Sequence, residues 1–521
     1  MIGKGNIIKI ANGTMRETAS QDYTAYAKDI HTNAGQKIQE TSTDGIEYGD
    51  PDKMVVKEDL VNITVGLFFD GTGNNRKNVS HREAGNSEVY QKVSGTKMYW
   101  QDNTSYENDR TNVDHLEKMY KKQALYFSIY VEGIGTSDDD FDNVPNMGTG
   151  TGVTGVRAKV RRGCEELVKQ IKARSSKNID TLTVDVFGFS RGAAAARNFV
   201  YEITRGPYKA KKSETEDNTT LYYDADGFPA AKEEMPARGQ FGVHLELKKL
   251  KVSRVKIRFA GLYDTVSAFG IKHSNDLTEL NLNAIDQASN IVHLTAADEH
   301  REKFELTSVS TGIEISLPGV HSDVGGSYRD NVNEEVSLAE EMLSILNREK
   351  LINAEKNKLI SQGWYREKQM SQPDGYKLVG NRVLSNKYSL IPLHLMFEFG
   401  KAICQFEDGQ INSKHKIPAA PLSNSSLSLV DVYTRLRKFA ILKTAPALLF
   451  NNAGQLQSIK NMVDHGVYSA AKYNETVKDR NMLYELRNRY LHFSSSWDGI
   501  GKEPSINDQG ERERVVFNKR P

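Results

Sequence analysis

The sequence is poor in the features that mark secreted, membrane or nucleic-acid-binding chains. Its 521 residues hold only two cysteines, Cys164 and Cys404, too few for a disulfide framework and in no metal-binding spacing. A chain this long buries roughly three quarters of the surface its unfolded form exposes, so it needs no cross-links. Long apolar runs are missing as well. Near the start Ile7, Ile8 and Ile10 are soon interrupted by polar residues, which excludes a signal-peptide core. The most apolar later window, Ala445 to Phe450, is far shorter than the ~20 residues that cross a bilayer. We therefore expect synthesis in the cytoplasm as a soluble chain. There is no excess charge of one sign: 69 Lys+Arg stand against 68 Asp+Glu, a net +1. That balance gives no general attraction to nucleic acid or an anionic membrane. With 9% aromatic and 26% charged residues, the composition argues against disorder.

What is present has a rhythm. Short β-branched and aromatic runs end abruptly at turns: Ile63 to Phe69, Leu125 to Val131, Leu182 to Phe187, Val255 to Ala260 and Ile313 to Leu317. Apolar runs of this kind, separated by helix-patterned segments, predict strands of a mostly parallel α/β sheet flanked by helices. Val156 to Ala173 is amphipathic through Val156, Val160, Cys164, Leu167, Val168 and Ile171, and a second helix is expected over Ala193 to Ile203. Length suggests about three domain-sized units or one large domain with additions. We divide the chain into a turn-rich N-terminal appendage (1–58), a catalytic core (59–334) with a charged surface insertion or lid at 207–250, and a mainly helical C-terminal region (335–521). In that last region Leu338 to Leu346, Ile391 to Phe406, Leu427 to Phe450 and Met482 to Tyr490 read as helices, and the final twenty residues as a polar tail.

The strongest local signal is Gly188-Phe-Ser190-Arg-Gly192, a G-x-S-x-G between a predicted strand and an Ala-rich helix. That context defines a nucleophile elbow: glycines two before and two after the serine let strand and helix approach closely. The helix N-terminus then directs free N–H groups and a positive dipole to where an oxyanion forms. The bland alternative is a tight turn with a serine helix cap.

A serine nucleophile needs a base and an orienting acid, which in this layout follow in the order Ser, Asp/Glu, His. Asp264 stands just past the fourth run, and His321 past the fifth in the Gly/Pro-rich loop Pro318 to Gly326. Asp70 is a rival acid, ending the first run in Asp70-Gly-Thr-Gly-Asn74. We assign Asp70 to shaping the site, and the backbone N–H groups of Gly71 and Arg191 to the oxyanion; a simple Asx turn competes for that loop. Asp323 is expected to brace the His321 loop, and Asp185 to point away from the elbow from inside its strand.

Two patterns carry less. Gly150-Thr-Gly152-Val-Thr-Gly155 spells G-x-G-x-x-G, but a loop precedes it where the dinucleotide fingerprint needs a strand. It reads as a loop beside the active site. The acidic run Asp138 to Asp142 lacks the spacing of a calcium loop and reads as solvated. No metal or cofactor is expected.

Together, Phe68 to Asn74, Gly133 to Thr136, Gly188 to Ala194, Leu262 to Val266, Ala297 to Glu299 with Arg301 and Phe304, and Pro318 to Gly326 resemble the α/β-hydrolase phospholipase effectors of bacterial type VI secretion, in the group whose elbow reads GFSRGA. The resemblance covers roughly 60–330. It implies an α/β-hydrolase fold, a triad of Ser190, Asp264 and His321, and cleavage of phospholipid acyl esters. It also implies delivery into rival cells, a secretion-spike partner and a cognate immunity protein. Residues 1–58 lie outside the resemblance and are read separately as a loading segment for the spike. The competing expectations are an esterase of the same fold acting on a non-lipid ester, and an inert spike-associated binding protein.

Overall fold

The fold is described from a computed structural model of the chain. It describes residues 60–521 except 86, 95–100, 215–219, 269–275, 341–346, 423–424, 449, 499–500 and 519–521; of 1–59, it describes only 13, 15, 17, 32–33 and 37–41. The chain divides into two compact units, Met1–Asp59 and Leu60–Pro521. Most of the appendage expected at 1–58 lies outside the described residues; within it, 37–41 are exposed and form neither helix nor strand.

Leu60–Pro521 is built on a parallel sheet. Its strands are β1 (Val61–Phe69), β2 (Tyr126–Val131), β3 (Ile179–Phe189), β4 (Val252–Tyr263), β5 (Ile291–Ala296) and, after a two-residue strand β6 (Leu306–Thr307), β7 (Ile313–Leu317). The order across the sheet is β7-β5-β4-β3-β1-β2, with every neighbouring pair parallel. All five apolar runs are strands of this sheet. The sixth strand, β5, was not foreseen.

Successive side chains on a strand point to opposite faces, and both faces here are covered. Leu67, Phe69, Val184 and Val186 pack with helices α1 (Val156–Arg174) and α2 (Arg191–Thr204). Their neighbours Phe68, Phe187 and Phe189 join a second core containing residues of α4 (Leu390–Gly400), α5 (Leu429–Ala440) and α6 (Ala470–Arg489). The short helix α3 (His321–Gly325) follows β7. A strand buried on both sides needs apolar residues throughout, which is why these runs read as continuous in the sequence.

Two expectations are corrected, and the 207–250 insertion acquires internal structure. Leu338 to Leu346 is not a helix: β8 (Val332–Glu340) pairs antiparallel with β9 (Lys377–Leu384), burying Val336 and Leu338 on a period of two, and 341–346 lie outside the described residues. The 207–250 stretch folds into short strands, among them an antiparallel set of Lys211–Glu214, Thr220–Tyr223 and Pro229–Ala230, followed by a helix at Gly239–Leu247. The final residues are no free tail, because β10 (Val516–Phe517) pairs parallel with β6.

Candidate active site

In a parallel sheet every strand ends at the same edge, so chemistry-bearing loops converge there. Asp70 follows β1, Ser190 follows β3, Asp264 follows β4, Glu299 comes after β5 and His321 follows β7.

The turn at Ser190 is sharp. Its backbone sits at φ 59°, ψ −131°, a sparsely populated region for a residue with a side chain. A Cβ at Gly188 would lie 2.5 Å from the Gly192 carbonyl oxygen, and one at Gly192 would lie 2.2 Å from that of Asp70. Both positions therefore require glycine. The Ser190 N–H donates to the Tyr263 carbonyl at 3.0 Å, tying the elbow to the end of β4. Arg191 and Gly192 open α2, so their N–H groups have no partner within the helix.

Asp264 and His321 meet directly. The imidazole Nδ1–H donates to Asp264 Oδ2 at 2.5 Å, with both side chains buried. That leaves Nε2 as the basic nitrogen. The ring packs on Phe189, the residue before Ser190, with centroids 4.6 Å apart, and meets Phe304 edge-on at 5.0 Å. No hydrogen bond joins His321 to Ser190 Oγ among the described residues; such bonds are commonly completed only when substrate is bound. Burial pulls the His321 imidazole below its ordinary value, outweighing the Asp264 hydrogen bond and charge that favour the protonated ring.

One residue that sequence reasoning missed completes the acid. Arg514, in the supposed tail, donates from Nη1 to Asp264 Oδ1 (2.7 Å) and from Nη2 to Asp264 Oδ2 (2.8 Å). The Ala296 N–H also donates to Oδ1 at 2.8 Å. Burial would raise the Asp264 carboxyl, but the Arg514 guanidinium and the His321 bond hold it well below the usual carboxylate range. Nothing local in the sequence links residues 250 positions apart.

Glu299 and Arg301 brace the other side of His321. Arg301 donates from Nε and Nη2 to the two Glu299 oxygens, at 3.0 and 2.9 Å, and its guanidinium stacks 3.3 Å from the Phe304 centroid. Glu299 Oε2 accepts from the His321 N–H at 3.2 Å. Asp323 behaves as expected of a loop brace, accepting from the Val320 N–H (3.0 Å), the His492 N–H (3.0 Å) and His492 Nδ1 (2.7 Å). Asp185 pairs with Arg258 and Tyr120 inside the sheet.

Asp70 does not touch His321. Its oxygens accept from the Gly71 N–H (2.8 Å), Thr111 Oγ1 (2.8 Å) and Tyr130 OH (2.5 Å). Burial exceeds these hydrogen bonds and pushes the carboxyl up to about 6. The expectation for Gly71 needs correcting: in this conformation its N–H is committed to the preceding Asp70 side chain, so it is not free for an oxyanion. The Gly150 to Gly155 stretch follows a short helix, Val144–Thr149, and caps α1 at Gly155. It borders the elbow, since Arg191 Nη1 donates to the Gly148 carbonyl at 3.1 Å. In the acidic run, Asp138, Asp139 and Asp142 each accept from protein donors. Among the described residues no cluster of three or more His, Cys, Asp or Glu side chains is arranged to hold a metal ion.

A family model described as the catalytic domain of Tle1-like phospholipase effectors of the type VI secretion system matches residues 64–348. The chain belongs to this family. The matched span of this Tle1-like effector contains Ser190, Asp264 and His321 and stops well before Arg514. No curated protein matches the chain. A solved structure of the Tle1 effector bound to the VgrG spike from the type 6 secretion system is 19% identical, with 91% of this chain and 99% of that chain covered and a TM-score of 0.49. An uncharacterized protein from Pseudomonas aeruginosa is 17% identical over 83% of this chain and 65% of that one, with a TM-score of 0.31. Among the described residues of the Tle1-like chain, no helix is long and apolar enough to cross a membrane.

Proposed function

We propose that this protein is an antibacterial phospholipase A-type serine esterase in which Ser190, His321 and Asp264 act as nucleophile, base and orienting acid. The observation that carries the reading is the buried His321–Asp264 hydrogen bond at the strand edge that also bears the strained Ser190 elbow. Membership of a phospholipase effector family supports the substrate class. His321 Nε2 takes the Ser190 proton as Oγ attacks an acyl carbonyl carbon, and the Arg191 N–H stabilises the oxyanion. Collapse of the tetrahedral species returns the proton to the departing lysophospholipid oxygen and leaves an acyl-serine. Water, activated by the same imidazole, then releases the fatty acid.

The Arg191 side chain favours a phosphate-bearing ester over a neutral one. It lies beside the elbow and forms no ion pair with a carboxylate among the described residues, so its charge is available to a phosphodiester. Family membership supports delivery by type VI secretion into rival cells, with a spike component and a cognate immunity protein as partners; the 1–58 appendage, outside the matched span, is proposed as the segment that loads the spike. Phospholipids labelled separately at each acyl chain test the reading. Wild type should release label and Ser190→Ala should not; equal release by both refutes it.

A further inference from the structure

The geometry points to Arg514 as a positioning residue for the candidate acid–base pair, so that the site is complete only when the C-terminal strand β10 is docked. The inference rests on the triad reading above. Arg514 is held by four hydrogen bonds. Beyond the two bonds to Asp264, Nε donates to the Phe304 carbonyl at 2.8 Å and Nη1 to the Ala296 carbonyl at 3.2 Å. The planar guanidinium is thereby fixed on several sides, and a fork of this kind holds a carboxylate in one orientation. The side chains of Arg514 and Asp264 are only 7% and 0% exposed, unlike the solvated surface pairs that contribute little.

The backbone aims Arg514. The Leu306 N–H donates to the Val515 carbonyl and the Ser308 N–H to that of Phe517, each at 3.0 Å. Between them the Thr307 N–H donates to the Thr265 carbonyl at 2.9 Å, directly beside Asp264. The segment that carries Arg514, just before β10, is thus tied through β6 to the loop that carries Asp264. Phe304, whose carbonyl holds Arg514, also presents its ring to His321.

Charge makes the role more than an anchor. His321 is faced by Asp264 from the end of β4, Glu299 and Arg301 from the loop after β5, Arg514 from the segment just before β10, and Asp323, bonded to His492, on its own helix. Arg301 answers Glu299 and Arg514 answers Asp264. Loss of the Arg514 charge would leave Asp264 uncompensated and stabilise the imidazolium, so His321 would need a higher pH to act as a base.

Labelling by a fluorophosphonate ester tests this without assuming the lipid substrate, because it reads serine activation directly. With full-length protein, Arg514→Gln should label ~10- to 100-fold more slowly than wild type, with the acid limb of its pH–rate profile moved up by about one unit. Fatty-acid release from phospholipid vesicles should fall in kcat by a similar factor, with KM nearly unchanged. Arg514→Lys, which keeps the charge but not the fork, should recover the pH profile and only part of the rate; it decides the matter if Arg514→Gln does not fold. A folded Arg514→Gln that labels at the wild-type rate with an unmoved profile overturns the inference alone. If Arg514→Gln does not fold, an Arg514→Lys as fast as wild type overturns it equally. Wild type that takes no label removes the triad reading and this inference with it.

Discussion

Replacing Asp264 by asparagine changes one atom and tests the logic of the site. Each Asp264 oxygen accepts from two donors: Oδ1 from the Ala296 N–H and Arg514 Nη1, and Oδ2 from Arg514 Nη2 and His321 Nδ1. An amide retains only one acceptor oxygen. If its nitrogen takes the Oδ1 place, it faces two donors that have no alternative. If it takes the Oδ2 place, one of the two opposing groups is an imidazole, which can exchange tautomers. The second arrangement wins, and His321 then accepts at Nδ1 and carries its proton on Nε2. A protonated Nε2 cannot take a proton from Ser190, so kcat should fall ~10³- to 10⁴-fold with KM little changed. The Arg514 cation, meanwhile, loses its buried anion, at a cost to stability of about 3 to 5 kcal/mol. Initial rates of fatty-acid release and urea unfolding followed by circular dichroism measure the two effects. A folded Asp264→Asn enzyme with kcat within about tenfold of wild type would show that Asp264 is not the orienting acid.

Two further outcomes follow from the buried titratable groups. A general base works when neutral, which for an imidazole means above its pKa, and burial lowers that value for His321. The acid limb of kcat/KM should therefore have its midpoint below the ordinary imidazole value of about 6.5; rates measured between roughly pH 4 and pH 9 would contradict this with a midpoint at or above about 7. Asp70 has the opposite linkage, because its carboxyl is raised from 3.8 to about 6 in the fold. Its contribution to stability is fully present below about 3.8 and is lost as pH rises through about 6. Asp70→Asn, neutral throughout, should gain as much as ~3 kcal/mol over wild type at pH 8 and nothing at pH 3.5. Equal gains in urea unfolding at both pH values would contradict the assigned shift.

Much of the sheet was legible because strands buried on both faces must be apolar along their length. The missed strand β5 has His293 at its centre, which breaks the apolar run. The fold accommodates that imidazole by letting Nε2 accept from the Thr265 N–H at 3.0 Å and Nδ1–H donate to Glu314 at 2.9 Å, partners that a local pattern does not reveal. Leu338 was misread for a related reason. Its strand exists through pairing with β9, whose partner residues lie 37 to 52 positions later, and tertiary pairing overrides local propensity. The elbow was legible because its glycines and serine are adjacent and sterically required. Asp264 and His321 could be proposed because parallel strands deliver their following residues to one edge. Arg514 had no such signal: a single arginine among polar residues near the C-terminus looks like solvated charge until the strand that follows it is paired.

The central claim is that Ser190 is the nucleophile, and the most direct test is to map where a phosphonate ester attaches. Peptide mass analysis of the full-length protein after reaction should find one adduct per chain, on Ser190, and strongly slowed modification in His321→Ala. An adduct on another residue, or no adduct on protein that still releases fatty acid from phospholipid, would contradict the account.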